Sequence, residues 1–327
     1  MKPLTPKTLN GLWAAIATPF KNAGEIDYSA LKENCVRLAS TGVDGIYTTD
    51  SDGEFYAIEW DEFKTLSKKF GETLADLDVS AQMGVTWINT RGIIDRIKAS
   101  VDAGINTVHV GFPFFMPLTT ADVSRFFSDP ASAVPQARWI YYGHPSCLPL
   151  LKGRELAKLA AEFPDQLIGT KLNAYEISDL TDVFTHCPNL AHFVGERNLL
   201  FGSLLGARGC YSYWVNTMPA WTRSFYDACQ RKDVARATEL HLKLYRWETT
   251  ALAEIRQLGY RYGIIGKARG HLRDFLVHDG STRAPHQPVP QKLLTELKVR
   301  FEEYWAAEIQ QETAAAKSQT AVKASRK

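Results

Sequence analysis

The sequence predicts a (β/α)8 TIM barrel carrying a C-terminal helical extension, and three observations carry that prediction. Short apolar runs alternate with helix-periodic segments eight times before residue 217. The connections between them are short, which suits parallel strands joined by covering helices. Eight such pairs in about 215 residues match the length this barrel needs. An open doubly wound sheet is the alternative, and the lack of a GxGxxG or GxxxxGKS/T loop weighs against it.

The elements follow in order. Residues 11–19 read as a buried strand stopped by Pro19, and Asp27 is placed to cap a helix reaching about Ser40. Residues 42–49 are the second strand, 50–54 its exit loop and 60–73 its helix. The third pair is 78–84 with 90–103, and the fourth is 106–112 with 120–127. The fifth strand, 138–142, ends in Gly143-His144-Pro145 and is followed by a helix over 152–162. Residues 166–174 and 176–186 form the sixth pair, 190–195 and 198–205 the seventh, and 209–215 the eighth strand. Beyond it the pattern is wholly helical. Val234, Ala237, Leu240, Leu244 and Trp247 mark one apolar face, with further helices near 260–275 and 291–304. The expected division is a barrel over 1–217, a helical annex packed on it over 218–305, and a fraying helix or disordered tail over 306–327.

Composition narrows the function. The 327 residues are 45% hydrophobic and 23% charged, and a net charge of +2 gives no electrostatic footprint for nucleic acid or an anionic membrane. No apolar run approaches the ~20 residues that span a bilayer, and the N-terminus lacks a signal peptide's apolar core. Cys35, Cys147, Cys187, Cys210 and Cys229 are scattered without a CxxC pair, which suits reduced thiols and neither a disulfide frame nor a zinc site. The expectation is a soluble cytoplasmic protein.

The chemistry centres on residues 166–174, a short apolar run that presents one lysine, Lys171. A buried lysine is costly, so Lys171 either reaches water at the strand mouth or sits in a pocket where a desolvated, neutral amine is useful. Such an amine attacks a ketone carbon to form a Schiff base. Barrel enzymes carry catalytic groups at the C-terminal ends of strands, where Lys171, Tyr142 and the 50–54 loop all fall. A tyrosine hydroxyl on the neighbouring strand suits proton transfer; packing under a loop is its plainer role.

In this order and spacing the chain resembles the dihydrodipicolinate synthase / N-acetylneuraminate lyase family over roughly residues 12–300. The matching pieces are Ala17-Thr-Pro-Phe20 with Glu25-Ile-Asp27, the segment 42–54 against G-V-x-G…G-T-T-G-E, Tyr142-Gly-His-Pro145 against Y-N-x-P, Ile168-Gly-Thr-Lys171, and 206–209 through Asn216 and Pro219. The resemblance implies a Schiff base between Lys171 and a 2-oxo acid such as pyruvate, with Tyr142 as proton shuttle. It implies carboxylate binding by Ser51 and the N–H groups of Asp52 and Gly53. It also implies a homodimer or homotetramer, with no metal and no cofactor beyond the lysine imine.

The departures point away from dihydrodipicolinate synthase itself. The G-T-T-G-E segment reads Asp50-Ser51-Asp52-Gly53-Glu54. An ionised Asp52 at ~4 Å from a substrate carboxylate would repel it by roughly 4 kcal/mol at an effective dielectric of 20, unless it turns away, is protonated or pairs with a cation. Phe114 and Phe115 replace the two tyrosines of P-Y-Y, Cys147 stands where the synthases carry an arginine, and Tyr211 replaces a small residue near the lysine and reshapes the pocket.

Other readings share these residues. Thr48-x-Asp50-x-Asp52-Gly53-x5-Glu59 resembles a calcium-binding EF-hand loop, but a strand precedes it where a helix belongs. His109 and His144 lie near strand ends as acid/base candidates or hydrogen-bonded structural histidines. Glu196, in Gly195-Glu-Arg197, reads as a contact for a polyhydroxylated substrate or as a salt-bridged turn. Trp13, Trp139 and Trp214 fall in strands and read as core or subunit packing. The function these readings favour is a lyase performing aldol-type cleavage or condensation on pyruvate or a deoxy-keto sugar acid. A dehydratase or deaminase would use the same imine. An inactive binding protein on the same scaffold is the non-enzymatic alternative.

Overall fold

Eight parallel strands close on themselves in chain order: β1 (Gly11–Ala15), β2 (Gly45–Thr48), β3 (Ser80–Gly84), β4 (Thr107–Val110), β5 (Arg138–Tyr142), β6 (Leu167–Lys171), β7 (Ala191–Val194) and β8 (Gly209–Ser212), with β1 paired to both β2 and β8. The structure, a computed structural model, describes residues 4–21, 24–277 and 280–314. Strand side chains alternate between the barrel interior and the helical shell. In β5, Trp139 and Tyr141 pack outward while Ile140 faces in. Strand β6 carries a register irregularity against β5. Beyond it, Thr170 faces outward to His192 and Lys171 faces inward, level with Tyr142. Inside the barrel, Trp13 fits because β2 has a glycine opposite it: a Cβ on Gly45 would lie 2.4 Å from the indole ring.

The shell consists of α1 (Tyr28–Ala39), α2 (Trp60–Asp76), α3 (Thr90–Asp102), α4 (Thr120–Ala133), α5 (Gly153–Glu162), α6 (Ile177–His186), α7 (Leu199–Leu205) and α8 (Pro219–Gln230). Asp27 caps α1 as expected, accepting from the N–H groups of Ser29 and Ala30. Two boundaries differ from the sequence reading. Helix α4 runs past the expected end at 127 to Ala133, because Phe126, Phe127 and Pro130 all bury on one face and packing outweighs proline's lost hydrogen bond. The eighth helix lies beyond residue 217, inside the stretch read as annex.

The annex comprises α9 (Val234–Thr250), α10 (Ala253–Gln257), α11 (Tyr262–Gly270) and α12 (Gln291–Tyr304). Residues 306–314 are helical, and Glu312 accepts from Trp221 N at 3.0 Å and pairs with Arg273 at 3.2 Å. The remainder of the expected tail, 315–327, lies outside the described residues. Trp13, Trp139 and Trp214 are all core residues. Among the described residues no helix is long and apolar enough to cross a membrane.

One shell contact sets a pH dependence. His192 stacks on Phe184, accepts at Nδ1 from the Thr170 hydroxyl and donates from Nε2 to Cys187 O. Burial pushes its pKa down to about 4, against about 6.5 in the unfolded chain. The unfolded state therefore binds the extra proton first, and stability is lost as pH falls from 6.5 towards 4, by about 3 kcal/mol for this one group. Thermal unfolding followed between pH 7 and 4.5 will show a shallower acid-side loss for His192→Asn than for the parent; equal slopes would assign the loss elsewhere.

Candidate active site

The loop leaving β2 is held in a strained shape. Thr49 (φ 59°) and Glu54 (φ 55°) both occupy the left-handed region, costly for a β-branched residue. The Thr49 hydroxyl secures the first by donating to Gly84 O at 2.8 Å. Glu54 Oε1 lies 2.5 Å from Lys267 Nζ on α11, with both groups buried, so the annex anchors the second. Within this frame Asp50 turns into the barrel. It needs Gly84 on β3, where a Cβ would come within 2.2 Å of Asp50 Oδ1.

Lys171 meets that carboxylate. Its Nζ donates to Asp50 Oδ2 at 2.7 Å and to the Tyr47 hydroxyl at 3.4 Å, and lies 4.1 Å from the centre of the Tyr142 ring. Lysine and aspartate are both buried. Of the two expected placements, the strand mouth in water and a pocket, the structure shows the second, and in it the lysine has a dedicated counter-charge. Asp50 Oδ2 also lies 2.5 Å from His109 Nδ1; His109 Nε2 lies 2.6 Å from Gln82 Oε1, which accepts from the Tyr211 hydroxyl at 2.8 Å. A polar chain thus runs from Lys171 down through Asp50, His109 and Gln82 to Tyr211.

Burial alone would push the Asp50 carboxyl up, but Lys171 and His109 outweigh it and hold the group well below the usual carboxylate range. Burial, aided by the charge of Lys171, pushes His109 below the ordinary imidazole value against the pull of Asp50. An acceptor faces each ring nitrogen, whereas a neutral ring has only one N–H. His109 therefore bridges Asp50 and Gln82 with a single hydrogen between two acceptors.

Above this chain the barrel mouth holds a cavity of about 370 Å³, reached by Ser51, Tyr142, His144, Cys147 and, from the annex, Tyr262. Lys171 does not line it. Tyr142 touches both levels, with its ring over the lysine and its hydroxyl 3.0 Å from Ser51 Oγ. Burial foremost, and then the Asp50 charge, push the Tyr142 pKa well up, so the group stays a protonated phenol.

The structure thus brings Lys171, Tyr142 and Ser51 together. The N–H groups of Ser51, Asp52 and Gly53 donate to no group among the described residues, and of the three residues Ser51 lines the cavity. Asp52 is half-buried and outside the cavity lining; burial pushes its carboxyl up more than Lys171 and Arg269 pull it down. Of the three ways Asp52 could avoid repelling a carboxylate, its place outside the cavity lining matches the first, turning away. Tyr211 lies below the lysine and away from the cavity, packed on Phe193 and Tyr47. Glu196 Oε1 accepts from Ser212 Oγ and from the N–H groups of Tyr213 and Trp214, which fixes the exit of β8. The calcium-loop reading does not survive: Asp50 is paired with Lys171 and His109, Thr48 donates to Ile16 O, and Glu59 opens α2 in solvent.

Residues 8–302 match the model of the dihydrodipicolinate synthetase family. The chain belongs to that family. A DapA-like lyase of Pyrococcus furiosus is 28% identical over 73% of this chain and 80% of its own length. A 2-dehydro-3-deoxy-phosphogluconate/2-dehydro-3-deoxy-6-phosphogalactonate aldolase of Sulfurisphaera tokodaii is 26% identical over 84% of this chain and 90% of its own. The solved structure of YagE, a prophage protein of the dihydrodipicolinic acid synthase family from E. coli K12 in complex with pyruvate, shares the fold with a TM-score of 0.82 at 22% identity, covering 90% of this chain and 98% of that one. The chain is a lyase-type enzyme of the dihydrodipicolinate synthetase family. Within that family's pattern, Asp50 takes the place of the first glycine of G-T-T-G-E, and this substitution builds the lysine's counter-charge. Sequence reasoning gave Asp50 a place only in the calcium-loop reading and assigned no role to Gln82 or Tyr47. The signals were a carboxylate in a glycine's place and a glutamine in the middle of a strand.

Proposed function

We propose that the protein is a class I lyase that joins Lys171 to a 2-oxo acid as a Schiff base and makes or breaks the bond between C3 and C4 of the adduct. The observation that carries this reading is Lys171 Nζ at 2.7 Å from Asp50 Oδ2 beneath the hydrogen-bonded pair of Tyr142 and Ser51. Asp50 accepts the ammonium proton and passes it towards His109. As the positive charge leaves the amine, burial strengthens Asp50 as a base, so the transfer reinforces itself. The free amine attacks the keto carbon. Tyr142 supplies the proton with which the carbinolamine hydroxyl departs as water, and its phenolate takes the C4 hydroxyl proton when C3–C4 breaks. The bond's electron pair enters the iminium as an enamine, which is protonated at C3 before hydrolysis. Ser51 and the N–H groups of the 51–53 loop hold the carboxylate. Loss of water or an amine from C4 would draw on the same enamine.

One observation favours a second reading. Lys171 is buried and does not line the cavity, as suits a binding protein that kept the frame. Pyruvate followed by borohydride separates the two: the lyase gains an irreversible adduct on the peptide bearing Lys171, whereas a binding protein gains none with any 2-oxo acid. Tyr142→Phe will form the trapped adduct more slowly, with turnover lowered about 10²–10⁴-fold. Unchanged turnover in that variant would remove Tyr142 from the proton path.

A further inference from the structure

We infer that the half of the substrate beyond C3, the aldehyde released or taken up, is an aromatic or similarly flat apolar group and not a polyhydroxylated or phosphorylated chain. This rests on the imine reading above. Two arcs of rings face the 370 Å³ cavity. One runs Phe114–Phe55–Tyr56, with centroids 5.8 Å and 5.7 Å apart, edge to face. The other runs Tyr142–His144–Tyr262, with centroids 5.2 Å and 4.8 Å apart. These spacings are those at which aromatic groups pack on one another, and a flat ring entering between the arcs extends the same geometry.

Polar matching is confined to a small part of the lining. His144 is 8% exposed; its Nδ1 accepts from Ser146 N at 3.2 Å, so Nε2 carries the hydrogen, and Nε2 has no partner among the described residues. This unpartnered N–H suits the carbonyl oxygen of the aldehyde. Cys147 contributes a neutral thiol, since burial pushes it up to about 12. The lining's arginine, Arg261, is exposed, and its Nη1 donates to the carbonyls of Arg256 and Tyr260. A phosphate calls for converging cations, and a polyol calls for a partner at each hydroxyl. The matching substrate is a 4-aryl-4-hydroxy-2-oxobutanoate. Its C3–C4 bond breaks, the electron pair enters the iminium, the hydroxyl proton passes to Tyr142 and the aryl aldehyde leaves. Protonation of the enamine and addition of water then return pyruvate and free Lys171.

The test begins with pyruvate and borohydride on the full chain, read by intact mass. Aldol formation from pyruvate is then followed with benzaldehyde, glyceraldehyde and glyceraldehyde 3-phosphate. The expected result is a kcat/KM for benzaldehyde at least about tenfold above either of the others, with the preference reduced by about tenfold in Phe114→Ala. Phe114 is 39% exposed, so the variant leaves the core intact. Equal or reversed preference, or no turnover of benzaldehyde, with the adduct intact overturns this proposal and leaves the lyase standing. Absence of an adduct with pyruvate and with bulkier 2-oxo acids overturns both.

Discussion

Lys171→Ala is expected to abolish the borohydride-trapped adduct and to lower turnover by on the order of 10⁴-fold or more, since no other amine among the described residues is placed to take its role. The other buried lysine at this end of the barrel, Lys267, is committed to Glu54 at 2.5 Å. The substitution also removes a charge that holds Asp50 ionised. Burial then pushes the Asp50 carboxyl up, and the variant will take up a proton on folding that the parent does not. Circular dichroism and thermal unfolding establish that the variant is folded; intact mass and a coupled assay give the two readouts. A folded Lys171→Ala protein that still forms an adduct would move the imine to another residue.

Asp50→Ala is expected to destabilise the fold by about 3–5 kcal/mol, because it leaves a buried ammonium with no counter-charge. Both partners are 1% exposed, so solvent does little to screen the loss. Asp50→Ala combined with Lys171→Met replaces the pair by apolar groups and should recover much of the stability, giving a large coupling in a double-mutant cycle measured by urea unfolding. Additive single effects would mean that the pair contributes nothing jointly. Asp50→Asn keeps the shape and removes the base. Slower imine formation in that variant, followed over time by borohydride trapping with pyruvate, would place Asp50 on the proton path; an unchanged rate would confine it to holding the lysine.

Much of the fold was legible because it is written in periodicity. The limits of β5, read as 138–142, and of α12, read as 291–304, match the structure. Asp27 was legible as a cap because capping is decided within a few residues of chain. Helix α4 was read as ending at 127, short of Pro130, and only the burial of Phe126, Phe127 and Pro130 against neighbours shows why the helix continues past the proline.

The site divides along the same line. Lys171, Tyr142 and Ser51 were legible because each ends a strand or follows one, and a barrel gathers strand ends at one mouth. Their partners were not. Asp50, His109 and Gln82 come from three strands or their exits, at sequence separations of 59 and 27 residues along the chain of contacts. No local pattern announces such pairings. By itself, the sequence determined the barrel, the lysine and its neighbouring tyrosine, since those depend on hydrophobic period and on residue type at strand ends. Only the tertiary structure decided that the lysine is ion-paired and buried outside the cavity lining, because charge pairing and burial depend on which strand ends face one another across the closed barrel.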